Sequence, residues 1–330
     1  MKRNPLGWLG WPKRPPSPCP SPRWGEGTPE LAPRSKEWAA ACPLSPWGEG
    51  WGEGVFPKHS PRIAAKAVFA AALALSGLVA ERAQARDRDP AEEAQRWQDV
   101  REPVFHGRPV QDAGEEVKLI APDRAMDAAL VPLTVELHAK KRVTAVTVFI
   151  DNNPAPVVGT FRFGPAISPD QIKFRVRIND YTLVHAVAET EDGALLAAEH
   201  YVKAAGGCSA PASGQTAETV ARLGQMQLHR TQPLDGAGVP SQLLISHPNY
   251  NGMQSTPGGG FIPARYLDTV SVKSGGVTVF ELQSDISLSE DPVINFTYTP
   301  SGDGGVDVVA HDSSGAEFKR HFDPLEPIRF

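Results

Sequence analysis

Cys208 is the residue with the most chemistry to offer in this chain. It stands in GGCSAPASG, a run of small and polar residues, and the other two cysteines, Cys19 and Cys42, lie far upstream at spacings that fit neither a zinc motif nor a CxxC redox pair. Free cysteines usually sit in cores. One placed in linker composition is open to disulfide exchange and oxidation if the protein is exported, so it calls for a use. No histidine flanks it and the nearest basic residue is Lys203. The expected thiol pKa is therefore near the free value of about 8.5, with a few per cent thiolate near neutrality. That is weak activation for a nucleophilic enzyme, which would want a base beside the thiol. It suits a thiol that other proteins load and unload. Gly206 and Gly207 are read as the source of the arm's flexibility and slimness, and a flexible segment of about fourteen residues spans roughly 20 Å. An incidental thiol and an intermolecular disulfide are the competing readings.

The remaining candidates are weaker. His106, His138, His185, His200, His229, His247, His311 and His321 are scattered without an HxH or HxxxH pair, so structural or surface roles are expected and no metal site. Ser246-His247-Pro248-Asn249 has no GxSxG elbow or matching acid around it. Gly258-Gly259-Gly260 lacks the lysine and helix of a phosphate loop and reads as a hairpin tip. No catalytic residue and no cofactor is expected. The net charge of −5, with basic residues dispersed, excludes nucleic acid as a partner.

The export expectation rests on residues 62–85. Lys58, Arg62 and Lys66 precede an apolar stretch over 67–80, which ends at Glu81 and Arg82, and Ala83-Gln84-Ala85 follows as an A-x-A cleavage site. This is a signal peptide, too short for a spanning helix of about 20 apolar residues. Cleavage near Ala85 leaves a periplasmic protein that starts at Arg86, has Cys208 as its one cysteine and has no membrane segment. Residues 1–61, with WGEG at Trp24, Trp47 and Trp51, have no core-forming pattern. They are expected to be a disordered extension or an over-long reading frame, with Val55 as an alternative start.

Three further segments follow. In 86–205, a short amphipathic helix anchored by Trp97, Val100 and Val104 precedes strands at 117–120, 133–138, 143–151, 157–163, 172–178, 183–189 and 195–203. Asp192-Gly193 predicts a type I′ hairpin turn. Strand 143–151 is apolar on both faces, as in the middle of a sandwich. Residues 206–220 have the composition of a flexible Gly/Ser/Ala linker. In 221–330, strands at 226–230, 242–247, 267–273, 278–282, 294–299, 306–311 and 317–322 alternate with Gly-rich turns. The fold class is all-β, with two immunoglobulin-like β-sandwich domains joined by that linker behind a signal peptide.

Residues 179–211, NDYTLVHAVAETEDGALLAAEHYVKAAGGCSAP, resemble the C-terminal end of the SoxY subunit of sulfur-oxidation carriers, which closes on a Gly-Gly-Cys-Gly-Gly arm. LLISHPNYNGMQ at 243–254, FIPARYLDTVSV at 261–272 and SDISLSEDPVINFTY at 284–298 resemble SoxZ. The order is similar to single-chain SoxYZ-like carriers that accompany pyrroloquinoline-quinone-dependent alcohol dehydrogenases. The resemblance implies a non-enzymatic carrier that holds sulfur intermediates, as in thiosulfate oxidation, covalently on Cys208 for periplasmic oxidising enzymes. The alternative it implies is an accessory or adaptor protein of a quinoprotein dehydrogenase. Two features depart from the family pattern: the arm reads Gly-Gly-Cys-Ser-Ala, and it continues into a second domain, so it is tied at both ends.

Overall fold

A computed structural model describes residues 88–211, 217–231, 238–256 and 258–325. The expected signal peptide and its cleavage site, the extension before them and part of the expected 206–220 linker lie outside the described residues.

Helix α1 (Pro90–Phe105) starts where the sequence invites it. Asp89 caps it, its Oδ1 accepting from Ala91 N at 2.9 Å, and Pro90 occupies the first turn. It ends at His106, which takes the left-handed conformation at φ 52°. Trp97, Val100, Val104 and Phe105 are the face it buries, against Phe149, Val187 and Leu195. Asp89→Ala should cost about 1 kcal/mol and speed amide exchange in the first turn of α1. Exchange that stays unchanged would show that packing alone holds the helix end.

The first half of the β structure comprises β1 (Val110–Asp112), β2 (Val117–Ile120), β3 (Val131–Leu137), β4 (Val143–Ile150), β5 (Val157–Phe163), β6 (Ile167–Val176), β7 (Thr182–Thr190) and β8 (Leu195–Val202). After a short helix, α2 (Ala217–Arg222), the second half comprises β9 (Met226–Arg230), β10 (Val239–Ile245), β11 (Leu267–Ser274), β12 (Val277–Ser284), β13 (Val293–Tyr298), β14 (Val306–Asp312) and β15 (Glu317–Phe322). Alternating burial in β3, β10, β13 and β14 is the mark of strands with one face on a core. The all-β, two-sandwich class expected from the sequence is what the chain forms.

The two halves share both sheets. One sheet runs β1-β8-β7-β4-β5-β12-β11-β14-β15 and the other β2-β3-β6-β13-β10-β9. The junctions are antiparallel: Phe163, Phe161 and Gly159 of β5 oppose Phe280, Leu282 and Ser284 of β12, and Lys173 of β6 opposes Asn295 of β13. Gly159 is required at that junction, because a Cβ there would lie 2.6 Å from the Gln283 carbonyl oxygen. A file of aromatic rings then crosses the junction inside the core, Phe174 to Phe161 to Phe280 to Phe296, with centroids 5.0–5.9 Å apart. Apolar residues of both halves form one continuous core, beside which a smaller cluster lies under α1.

Two local expectations need correction. The Asp192-Gly193 hairpin is not type I′. Only Gly193 has positive φ, Thr190 N bonds to Ala194 O at 3.0 Å, and the loop therefore has three residues ending in a left-handed glycine. The type I′ geometry instead occurs at Gly275-Gly276, both at positive φ between β11 and β12. The doubly apolar strand β4 has its second face under α1, through Phe149, and not under a second sheet.

Candidate functional site

Cys208 is not an exposed arm residue. Its turn is seated on the protein, in the groove where the two halves meet, and the residue is 1% exposed. Ladder β8 delivers the chain there, and the backbone then hydrogen-bonds to the stretch that follows β6. Gly206 N donates to Asn179 O at 2.8 Å and Gly207 N to Ile178 O at 3.0 Å. Ser209 N closes the turn on Gly206 O at 3.2 Å. From the second half, Asn251 Nδ2 donates to Cys208 O at 2.7 Å. The first half therefore holds the turn with backbone carbonyls and the second with the Asn251 side-chain amide, both acting on the turn's own backbone groups, which need partners when buried.

The two glycines serve this seat in different ways. Gly206 has φ +75°, a conformation that L side chains rarely adopt. Gly207 has no room for a side chain, since a Cβ would lie 2.0 Å from the Ala128 carbonyl oxygen and 2.5 Å from that of Ile178. Both requirements belong to a docked turn. The slimness expected of these glycines thus serves a seat on the protein itself, where the sequence suggests a mobile arm.

Burial pushes the Cys208 thiol up to about 11, with Arg177 pulling the other way. This corrects the expectation of a free-thiol value near 8.5, because the residue loses its water and the thiolate with it. As seated, the thiol is protonated and unreactive at neutral pH.

Arg177 is the residue the sequence reading missed. It follows β6 and is itself 1% exposed. Its backbone is tied to both halves: its N–H donates to Ser287 O at 2.8 Å, and its carbonyl accepts from Asn153 Nδ2 at 2.7 Å. Its Nη2 lies 3.7 Å from Glu290 Oε2, and among the described residues neither Nε nor Nη2 has a hydrogen-bond partner. Desolvation lowers its pKa, against the attraction of Glu290, Cys208 and Asp127.

Elsewhere, His247 meets the acid that its sequence neighbourhood lacked. Its Nε2 is 3.4 Å from Asp312 Oδ2, its Nδ1 is 2.7 Å from Asn249 Oδ1, and Arg265 Nε donates to Asp312 at 2.8 Å. Burial holds His247 below its usual value, keeping it neutral. Asp312 resists burial through Ser314, Arg265 and the Ala316 N–H, which hold it below the usual carboxylate range. The cluster pins the loop carrying Asn251 to β14. His185 is likewise buried, its Nε2 3.1 Å from Asp151 and its ring stacked on Trp97 at 3.8 Å. A depressed carboxylate stabilises the fold above its unfolded pKa near 4, and the stabilisation is lost as pH falls toward the folded value. Asp312→Asn should therefore cost about 1.5–3 kcal/mol at pH 7 and reduce the loss of stability between pH 4 and pH 2. An acid limb identical to wild type in denaturant titrations would refute this role.

Among the described residues no group of three or more His, Cys, Asp or Glu is arranged to hold a metal, and no helix is long and apolar enough to cross a membrane.

The fold and site define a two-module β protein whose cysteine turn docks at the seam of the modules. The SoxY family model (Sulfur oxidation protein SoxY) matches residues 101–208 and the SoxZ model (Sulphur oxidation protein SoxZ) matches residues 227–323. The chain thus joins a SoxY-family segment and a SoxZ-family segment, the order of a SoxYZ-like fusion. Among solved structures, the sulfur carrier protein SoxY from Chlorobium limicola f thiosulfatophilum is similar at 25% identity and a TM-score of 0.31, over 34% of this chain and 96% of that one. A beta-glycosidase from Bacteroides vulgatus aligns at 9% identity and a TM-score of 0.20, over 63% of this chain and 25% of that one. No curated protein matches the chain.

Proposed function

We propose that this protein is a periplasmic, non-enzymatic carrier that holds sulfur intermediates covalently on Cys208 and presents them to sulfur-oxidising enzymes. The observation that carries the reading is the position of the cysteine: the SoxY match ends on residue 208 itself, in a Gly-Gly-Cys turn, and a SoxZ match follows it. Loading would join Cys208 Sγ to the outer sulfur of a reduced sulfur anion such as thiosulfate. The thiol loses its proton, and thiolate and anion together lose two electrons to an electron-accepting partner enzyme, leaving an S–S bond with a terminal sulfonate. A protonated thiol without access to water cannot do this in its seat. The turn must therefore lift from the seam, swinging as a loop tied at both ends, to meet a partner.

Cys208→Ser is the direct test. It should abolish oxidation of reduced sulfur compounds by the cell while leaving the fold and its thermal transition unchanged, and protein recovered from the periplasm should carry a reducible, sulfur-containing mass on Cys208. Sulfur oxidation that survives the substitution, with only bare thiol found across growth conditions, would sink the reading.

A further inference from the structure

The Arg177 side chain is buried with two of its nitrogens, Nε and Nη2, short of hydrogen-bond partners among the described residues. A guanidinium offers five N–H donors in a rigid fork. Here it is buried, yet Nε and Nη2 donate no hydrogen bond among the described residues, and Glu290 Oε2 stands 3.7 Å from Nη2, beyond hydrogen-bond length. Leaving charged donors unsatisfied in a protein interior is costly. Such a group is a strong recognition element for a planar or tripodal oxyanion.

Its position says which anion. The turn that carries Cys208 lies on Ile178 and Asn179, the two residues after Arg177, through the Gly206 and Gly207 amides. The guanidinium and the thiol are close enough for each to act on the other's ionisation. Glu290 comes from the second half, keeps about a fifth of its side chain exposed and so has a path to water. A bare thiol has no charge to offer Arg177. A thiol bearing a terminal sulfonate has one negative charge and three acceptor oxygens.

We propose that Arg177 is a binding residue for the sulfonate end of an adduct on Cys208, which takes the place of Glu290 as its counter-ion, so that the turn docks more firmly when it bears an anionic sulfur group than when it bears a neutral one. The inference rests on Cys208 being the attachment site. It assigns the seam a preference for sulfur oxyanion adducts and makes Arg177 and Glu290 the residues that read them.

Chemical loading tests this without a partner enzyme. In the full chain with Cys19→Ser and Cys42→Ser, the Cys208 thiolate displaces thiosulfate from tetrathionate. A new S–S bond forms, the central S–S bond of tetrathionate breaks, and thiosulfate leaves with the electron pair, so that Cys208 ends in a thiosulfonate. Methyl methanethiosulfonate, losing methanesulfinate, leaves a neutral methyl disulfide instead. Amide exchange at Gly206 and Gly207 then reports docking. The thiosulfonate form should exchange about tenfold more slowly than the methyl disulfide form, as a charge-assisted bidentate contact requires, and Glu290→Gln should widen the gap. In Arg177→Gln the two adducts should exchange alike, and Arg177→Lys should retain part of the difference.

Equal exchange for both adducts in the unsubstituted protein would overturn the proposal, and that comparison needs no variant to fold. A gap unchanged by Glu290→Gln would overturn the exchange of counter-ions. The carrier reading is judged separately, because it stands or falls on the Cys208→Ser phenotype and the mass of the native protein.

Discussion

Replacing Gly207 with alanine should make Cys208 react at least tenfold faster with a disulfide reagent such as dithiobisnitrobenzoate at pH 8, an acceleration set by release of a buried thiol. The new methyl group would meet the carbonyl oxygens of Ala128 and Ile178 at 2.0 and 2.5 Å. Those carbonyls belong to two segments tied to each other, Ala128 O accepting from Ile178 N at 2.8 Å. The turn must lift instead. Once in water the thiol falls from about 11 toward about 8.5. Its thiolate fraction at pH 8 then rises more than a hundredfold. The less basic thiolate is a weaker nucleophile, with a Brønsted slope of about 0.4–0.5, so roughly a tenfold gain remains before the removal of steric blocking is counted. The wild-type rate should keep rising with pH well above 9, whereas the variant's should level off near it. A variant with the wild-type rate and profile would mean that the seat is not what restrains the thiol.

Phe280→Ala should destabilise the protein by about 3–5 kcal/mol, the range for truncating a fully buried aromatic, and should do so for both halves at once. Phe280 is wholly buried, pairs across the junction with Phe163 and meets Phe161 of one half and Phe296 of the other edge to face. If the halves were independent sandwiches, urea would reveal two transitions and the substitution would shift one. With shared sheets and one core, a single transition should move to lower urea with little change in slope. Two transitions, with the midpoint reported by Trp97 in the first half unmoved, would contradict the continuous core.

Much of this architecture is legible in the residues. The alternation in 131–137 and 306–312, the Asp89-Pro90 start of α1 and its Trp97, Val100 and Val104 face all report local physics, and local physics decides them. What the chain hides is the result of contacts between distant segments. In strand 172–178 the alternation puts Ile172, Phe174, Val176 and Ile178 inward and Arg177 outward. Arg177 is nevertheless buried, because Ser287 and Glu290 of the other half close over it. No local pattern encodes that. The same holds for Cys208, whose neighbours are small and polar because a seat of backbone carbonyls leaves no space for larger ones, a composition indistinguishable from that of a loose linker. The acid for His247 is 65 residues away in sequence and reaches it only through the pairing of β11 with β14.

The sharing of both sheets makes the peptide between the halves dispensable for assembly. Strand pairing and a common core hold the SoxY-like and SoxZ-like parts together, so two separate chains with these surfaces would associate as an obligate pair. What fusion adds is stoichiometry and concentration. Every SoxY-like unit is synthesised with its own SoxZ-like cover beside it, at the millimolar effective concentrations that a short tether imposes. One polypeptide is then a pre-paired unit, with no search for a second subunit.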